Sequence, residues 1–193
     1  GEVLLRGPGV MRGYHDADDH TDEAIVDGWF HTGDVGHLDD EGNLSLTDRK
    51  KDLMKTSGGK YVAPRKVEGA LVAAIPFVSQ AVAVGEGHKY ISALLTLDAD
   101  NVKRWGDVNG MAEASYDEIV ASDAIRRAVQ ECGDRANAGL ERWETVKKFS
   151  ILPQEFSVDG GEVTPSMKIR RTAISKRFAD VVDSMYEKEA DGE

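Results

Sequence analysis

The stretch SLTDRKKDLMKTSGGKYVAP, residues 45–64, contains the signals from which the fold of this chain is predicted. Leu44, just before this stretch, and Leu46 alternate with polar residues and predict a half-buried strand, which then reaches the run DRKKD at 48–52, too charged to continue into a core. Ser57-Gly58-Gly59 predicts a turn, and Pro64 suits the first turn of a helix. We therefore expect a strand, a charged joint, a short strand, a glycine loop and a helix. The joint is a candidate hinge, and the basic glycine loop a candidate phosphate contact.

Downstream of this stretch, the hydrophobic pattern alternates between helix and strand. A helix runs from Pro64 to a stop at Pro76, and apolar runs at 78–84 and 91–97 predict a hairpin. The other predicted elements are a helix over 99–110, a loop at 111–116, a longer helix capped by Ser122 or Asp123, a strand over 148–152, a turn at 159–161 and a last helix carrying Ile174, Phe178, Val181 and Met185. Interleaved helices and strands with at least one antiparallel pair predict an α+β domain.

The first 47 residues read as short strands and turns. We expect a strand over 3–5, a helix of one or two turns over 21–26, and a hairpin joining 35–38 to 44–47. This segment offers too few apolar residues to fold alone. Because it starts without Met and reads as a strand entered midway, we expect the chain to be a piece of a longer protein.

Composition excludes several classes of function. The chain has a formal charge of -11, so a general nucleic-acid-binding surface is not expected. No apolar run is long enough to span a membrane. The single cysteine, Cys132, sits on an apolar helical stripe and is predicted to be a packing residue, which fits a reducing, cytoplasmic compartment. The five histidines have no partners at ligand spacing, so we predict no metal site.

Four places carry side chains suited to chemistry. At each of them the residues alone are compatible with a functional role and with a purely structural one. Asp34 could accept two hydrogen bonds from a sugar diol or cap its own turn. Arg49 suits ribose and phosphate oxygens, yet it lies in a charge run of the kind that is usually solvated. The Gly58–Lys60 loop could approach a ligand closely or be an ordinary turn. Lys168 could face an acyl phosphate or only solvent.

Three motifs together resemble a known family. They are DGWFHTGD at 27–34, DRKKD at 48–52 and TPSMKIRR at 164–171, and their order and spacing resemble the C-terminal part of adenylate-forming enzymes, with long-chain fatty acyl-CoA synthetases the nearest group. The resemblance covers essentially all 193 residues. It implies that residues 1–48 are the β-rich tail of a large N-terminal domain. Residues 49–193 are then a small mobile lid, with a short, mostly antiparallel sheet flanked by helices.

The resemblance also assigns roles to the first two motifs. Asp34 matches the aspartate that binds the ribose hydroxyls of ATP and AMP, and Arg49 matches a second ribose contact. Lys51 corresponds to the hinge about which the lid rotates. A hinge residue need only absorb a change in backbone dihedral angles, so its side chain gives no independent signal.

The loop and the third motif receive roles in the same way. Gly58, Gly59 and Lys60 correspond to the loop that faces the active site during thioester formation, on the side of coenzyme A. Lys168 corresponds to the lysine that contacts the carboxylate and the α-phosphate during adenylation. Many relatives have glycine directly before that lysine, and this chain has Met167.

The function implied is ATP-dependent activation of a long-chain fatty acid to acyl-AMP and then acyl-CoA, with Mg²⁺ and coenzyme A. The partners implied are these small molecules and the missing N-terminal domain, and peripheral membrane contact would suit such substrates. Two alternatives stay open: an enzyme that stops at acyl-AMP or loads a carrier protein, and a non-catalytic isolated lid. The fragment alone is expected to be inactive, because the phosphate loop and acyl tunnel of relatives are missing from it.

Overall fold

The computed structural model describes residues 1–187, which form two compact units. The amino-terminal unit is Gly1–Leu53, and the carboxy-terminal unit starts at Met54. The assignment of 1–48 to the tail of a larger domain and of 49–193 to a lid stays a prediction.

The amino-terminal unit is an antiparallel sheet with one short helix. Its elements are β1 (Glu2–Leu5), α1 (Asp18–Ala24), β2 (Ile25–Val26), β3 (Trp29–Leu38), β4 (Leu44–Arg49) and a 3-10 turn (Lys50–Asp52). The long strand β3 pairs with each of the other three strands. The predicted first strand and the hairpin around 39–43 are confirmed.

Three local predictions in this unit are wrong. The helix expected over 21–26 begins earlier, at Asp18, and the β-branched pair Ile25-Val26 leaves it to pair with β3. Leu44 and Leu46 were expected to be half-buried, but they are 49% and 62% exposed, because nothing in this unit covers their face of β4. The charged joint begins at Lys50 rather than at 48, since β4 continues through Arg49.

The carboxy-terminal unit is a three-stranded sheet with helices on both faces. Its elements are β5 (Met54–Lys55), β6 (Tyr61–Val62), α2 (Pro64–Ala74), β7 (Val78–Val84), β8 (Ile91–Leu97), α3 (Ala99–Val108), α4 (Tyr116–Ala121), α5 (Asp123–Asn137), β9 (Val146–Ile151), α6 (Arg171–Arg177) and α7 (Ala179–Tyr186). Strand β8 is central, antiparallel to β7 and parallel to β9, while β5 and β6 form a separate ribbon. The predicted α+β class is confirmed.

The central strand divides the core of this unit into two clusters. Ile91, Ala93 and Leu95 point to one face and pack with α2 and α5, whereas Leu94 points to the other and packs with residues of α6 and α7. Because β8 is covered on both faces, every one of its residues is buried. The central position of β8 explains why its sequence is a continuous apolar run.

The helices follow the predictions closely, with two exceptions. Helix α5 is capped by Ser122, as expected, and Cys132 is buried on its inner face. Helix α4 was missed: Ser115 and Glu118 form a capping box that starts it directly after the expected loop. The last helix was predicted as one, but it is broken into α6 and α7 at Phe178, whose backbone angles (φ -109, ψ 27) are not helical.

Candidate functional site

The Thr32-Gly33-Asp34 segment forms a bulge inside β3. Gly33 has φ 71, a left-handed conformation that side chains rarely adopt, and the register between β1 and β3 shifts at this point. The Thr32 hydroxyl donates to the carbonyl of Val3 at 2.7 Å and accepts from the backbone N–H of Asp34 at 3.1 Å. Each residue of the motif therefore has a structural role. Gly33 adopts the backbone conformation that the bulge requires, Thr32 stabilises the bulge through its hydroxyl, and the bulge changes the direction of the Asp34 side chain.

The bulge places Asp34 opposite Arg49 across the β3–β4 pair. Arg49 Nε lies 2.7 Å from Asp34 Oδ1, and the two side chains are 57% and 29% exposed. Asp34 was expected at the end of a strand and instead lies within one, where the bulge keeps its carboxylate accessible. The structure thus brings together the two residues predicted to contact ribose. A carboxylate and a guanidinium side by side can bind a diol and an adjacent phosphate.

A cleft of about 880 Å³ lies within the amino-terminal unit, and Arg49, but not Asp34, is among the residues that line it. Glu2 lies in its wall and accepts a hydrogen bond from Lys50 Nζ at 2.8 Å, with His31 Nδ1 3.2 Å away. The hydrogen bond from Lys50, and to a smaller degree the contact with His31, lowers the pKa of Glu2 below its ordinary value. Sequence reasoning missed these three residues, because nothing in their spacing places them next to Arg49.

Lys51 lies in the 3-10 turn that follows β4, with an exposed side chain. The division between the two compact units falls after Leu53, just beyond this turn. The position suits a joint. Its role as a hinge stays a prediction.

The glycine loop is a five-residue hairpin turn from Thr56 to Lys60 that joins β5 to β6. The Thr56 N–H donates to the Lys60 carbonyl at 2.9 Å, Gly59 N–H donates to the Thr56 carbonyl at 2.9 Å, and Lys60 N–H donates to the Thr56 hydroxyl at 3.2 Å. Gly59 is left-handed, with φ 77. This is a tight turn followed by a bulge residue, for which glycine is preferred. The turn fixes the backbone of the loop.

The loop that carries Lys168 has the same geometry. Thr164 N–H donates to the Lys168 carbonyl at 2.9 Å, Met167 N–H to the Thr164 carbonyl at 2.8 Å, and Lys168 N–H to the Thr164 hydroxyl at 3.1 Å. Met167 occupies the position of Gly59 and has φ 59. Glycine adopts this left-handed conformation without strain, and this chain adopts it with a methionine, which is strained there.

A third turn, from Asp39 to Asn43, shows that this geometry is not by itself functional. Gly42 is left-handed there, and the Asp39 carboxylate accepts from the Asn43 N–H at 2.8 Å, as the threonines do in the other two. This turn has an acidic sequence and simply closes the β3–β4 hairpin. The other two turns differ from it in that each ends with a lysine, which could contact a ligand.

The two lysines differ in their surroundings. Lys60 Nζ lies 4.9 Å from the centre of the Trp143 ring, a cation–π contact with a partly exposed indole. The side chain of Lys168 is exposed and, within the part of the chain that the structure describes, makes no ion pair. Lys168 is free to meet a ligand, whereas Lys60 first has to leave an aromatic face. Trp143 has no signal in the sequence that connects it to the glycine loop.

Although Arg171 follows Lys168 closely in the sequence, its charge does not add to that of Lys168 at the surface. Its guanidinium points inward and contacts Glu68 of α2 at 2.5 and 3.1 Å and the carbonyl of Ala83 at 3.1 Å. Arg170 donates to the carbonyl of Gly161 at 3.2 Å. Arg171 therefore has a structural role, fastening the start of α6 to α2 and β7 directly after the Lys168 turn.

The two lysine turns are anchored to opposite faces of the sheet. Met54 and Val62, which flank the glycine loop, belong to the cluster under α2 and α5. Val163 and Ile169, which form a bridge at the base of the Lys168 turn, belong to the cluster with α6 and α7. The carboxy-terminal unit thus carries two hydrogen-bonded, lysine-bearing turns on different sides.

The sequence of this chain matches known proteins along nearly its whole length. The family model described as AMP-binding enzyme C-terminal domain matches residues 51–190. A long-chain-fatty-acid–CoA ligase from Mycobacterium tuberculosis is 40% identical over 190 residues, which are 98% of this chain and 32% of that protein. The ligase ACSBG1 from Rattus norvegicus, named in the same way, is 35% identical over 98% of this chain and 29% of its own length. The chain spans about a third of the length of these relatives.

Solved structures show the same fold. The adenylation domain of a carboxylate reductase from Mycobacterium chelonae superposes with a TM-score of 0.75 at 22% identity, over 96% of this chain and 27% of that one. O-succinylbenzoate coenzyme A synthetase from Bacillus subtilis, in complex with AMP, gives a TM-score of 0.60 at 27% identity, over 89% and 29%. Among residues 1–187 no helix is long and apolar enough to cross a membrane.

Proposed function

Because this chain belongs to the family of AMP-binding enzyme C-terminal domains, we propose that it is the C-terminal part of an ATP-dependent fatty acyl-CoA ligase. The Asp34–Arg49 pair is the observation that carries the proposal. These two residues, 15 positions apart, pair across β3 and β4 with their side chains 2.7 Å apart and partly exposed, and Arg49 lines an open cleft. The names of the relatives at 40% and 35% identity support a long-chain fatty acid as the substrate.

The proposed reaction has two steps at one site. In the first, an oxygen of the fatty acid carboxylate attacks the α-phosphorus of ATP, so that a C–O–P linkage forms and pyrophosphate leaves. In the second, the thiol of coenzyme A, having lost its proton, attacks the acyl carbon, and AMP leaves with the electron pair of the broken C–O bond. The product of the two steps is acyl-CoA, and ATP is consumed as AMP and pyrophosphate.

Each residue of the candidate site then has a task. Asp34 accepts hydrogen bonds from the ribose hydroxyls, and Arg49 donates to ribose or phosphate oxygens. Lys168 supplies a positive charge where negative charge develops on the α-phosphate and the carboxylate. Mg²⁺, when bound with ATP, shields the triphosphate. Among the described residues, no three His, Cys, Asp or Glu side chains form a group that could hold a metal ion.

The two lysine turns explain how one lid could serve both steps. Lys168 serves adenylation, and the Gly58–Lys60 loop serves thioester formation, where Gly58 and Gly59 admit the arm of coenzyme A close to the backbone. The turns lie on opposite faces of one unit, so rotation of that unit, with Lys51 as pivot, would exchange one for the other. Hinge motions of this kind need only a few residues that absorb backbone rotation.

Product analysis of the complete reading frame tests the proposal. The protein is incubated with ATP, Mg²⁺, coenzyme A and a series of fatty acids, and the products are followed by mass spectrometry. We expect acyl-CoA together with AMP, with a maximum at long acyl chains. Acyl-AMP that persists in the presence of coenzyme A would contradict the thioester step and favour a ligase that stops at acyl-AMP or loads a carrier protein. Formation of neither product would contradict the proposal as a whole.

A further inference from the structure

Four positive side chains converge on one cleft of the carboxy-terminal unit. Arg126 and Arg127 come from α5, and Lys147 and Lys148 come from β9. The cleft has a volume of about 460 Å³, and its other lining residues are Gln130, Phe149, Ser184 and Met185. We refer to these eight residues as the basic cleft. None of them belongs to the candidate site described above.

Within residues 1–187, the residues that line the basic cleft supply no negative charge to balance these four cations. No carboxylate is among its lining residues, although acidic residues outnumber basic ones 35 to 24 in the chain. Across residues 1–187, none of the four cations forms an ion pair, whereas Lys66, Lys103 and Arg177 elsewhere in the unit each do. Four like charges held together raise the free energy of the unit unless an anion offsets them. The arrangement therefore points to an anionic ligand.

The volume and the donor set favour a small phosphate-bearing molecule. The site is an open groove of about 460 Å³ lined by residues of α5, β9 and α7, a volume that can accommodate a compact anion. Arginine presents a planar fork that matches two phosphate oxygens, and lysine adds a mobile point charge. The partly buried ring of Phe149 forms an apolar wall for the remainder of the ligand.

We propose that the basic cleft binds a phosphate-bearing small molecule, with Arg126, Arg127, Lys147 and Lys148 around the phosphate oxygens. Lys148 also lines a neighbouring cleft of about 520 Å³ that contains Lys89, so a ligand with two phosphate groups can be accommodated. That second cleft contains one carboxylate, Glu187, which makes it the weaker of the two. The inference concerns binding alone and does not depend on the proposed ligase reaction.

The test measures binding of adenosine 3′,5′-bisphosphate to the full-length protein by isothermal titration calorimetry. The ligand carries two phosphate groups but no triphosphate and no thiol, so it cannot react. The variant Arg127→Gln/Lys148→Gln removes two charges from the basic cleft. Its matched control, Arg104→Gln/Lys176→Gln, removes the same charge from exposed positions outside it. Thermal unfolding of both variants checks that the fold is kept, since Arg127 lies on the exposed face of α5.

We expect the dissociation constant to rise about tenfold or more in the cleft variant and to change less than about twofold in the control, because charged hydrogen bonds to phosphate are lost only in the first. Binding to the native protein should weaken steeply with added salt. Ligand should also slow amide hydrogen exchange in α5 and β9. An equal loss of affinity in the two variants, or binding without protection of α5 and β9, would overturn the proposal. Capture by anionic lipid vesicles, lost in the cleft variant, without binding of the bisphosphate would replace it with a membrane surface.

Discussion

Removal of the Arg171 guanidinium tests how the carboxy-terminal unit holds its Lys168 turn. The two Arg171–Glu68 contacts, at 2.5 and 3.1 Å, join helices that are far apart in sequence. Glu68 is only 9% exposed, and its Oε1 also accepts from the backbone N–H of Ala83 at 2.8 Å. The pair therefore ties α6 to both α2 and β7.

The expected cost follows from the burial of the carboxylate. In Arg171→Met, Glu68 keeps its contact with the Ala83 N–H but loses its counter-charge, a change that typically costs about 3–5 kcal/mol for a buried pair. The Arg171 side chain is 24% exposed, so water can partly replace it, and we expect the lower end, about 3 kcal/mol. For a unit of this size the midpoint of thermal unfolding should fall by roughly 10 °C.

Urea denaturation of Arg171→Met, Glu68→Gln and the double variant measures the effect and the coupling. Because both single changes disrupt one interaction, the double variant should be less destabilised than their sum, by about 2 kcal/mol. Arg170→Met is the matched control: that residue is exposed, and its loss should cost less than about 1 kcal/mol. Equal effects at positions 170 and 171, or strictly additive single changes, would refute the reasoning.

Three further predictions concern individual residues. Met167→Gly should stabilise the unit by about 0.5–1 kcal/mol, and Gly59→Met should destabilise it by about 1–2 kcal/mol, because both positions are left-handed; changes of the same sign in urea denaturation would be inconsistent with this. Gly33→Ala meets no atom within 4 Å, so it should cost only backbone strain, about 1–2 kcal/mol, and should weaken AMP binding in calorimetry by displacing Asp34; unchanged affinity would count against the bulge. Burial raises the pKa of Tyr186 above its ordinary value, so the unfolded chain releases this proton first and stability falls as the pH rises past about 10. Tyr186→Phe should remove part of that fall and cost about 1 kcal/mol at pH 7, because the hydroxyl donates to the Val84 carbonyl at 2.8 Å; an unaltered alkaline profile would argue against it.

Local signals were sufficient for most elements of the fold. The hairpin of β7 and β8 and helix α2 depend on apolar periodicity and on Pro64 and Pro76, which act within a few residues. Features decided by distant contacts could not be predicted. Arg171 looks solvent-facing in the sequence, since its partner Glu68 lies 103 residues away.

The candidate site shows the same limit. Motif resemblance identified Asp34 and Arg49, and their pairing across the β3–β4 hairpin could have been inferred from its register, had the bulge at Gly33 been recognised. The contact of Lys60 with Trp143 joins two loops that are far apart in the sequence, so no local sequence pattern predicts it. Residues whose role depends on local backbone geometry can be predicted from the sequence, whereas contacts between distant segments cannot.

We propose that Lys168 serves adenylation and not thioester formation, and separate measurements of the two half-reactions in the full-length protein test this division of roles. Adenylation is followed as pyrophosphate released from ATP and a fatty acid, and the second step as acyl-CoA formed from preformed acyl-AMP and coenzyme A. Lys168→Ala should slow adenylation by about 100-fold or more and leave the second step within about threefold of the native rate. Lys176→Ala, an exposed lysine of α6, should affect neither. Equal loss of both half-reactions in Lys168→Ala would contradict a role of Lys168 in adenylation alone.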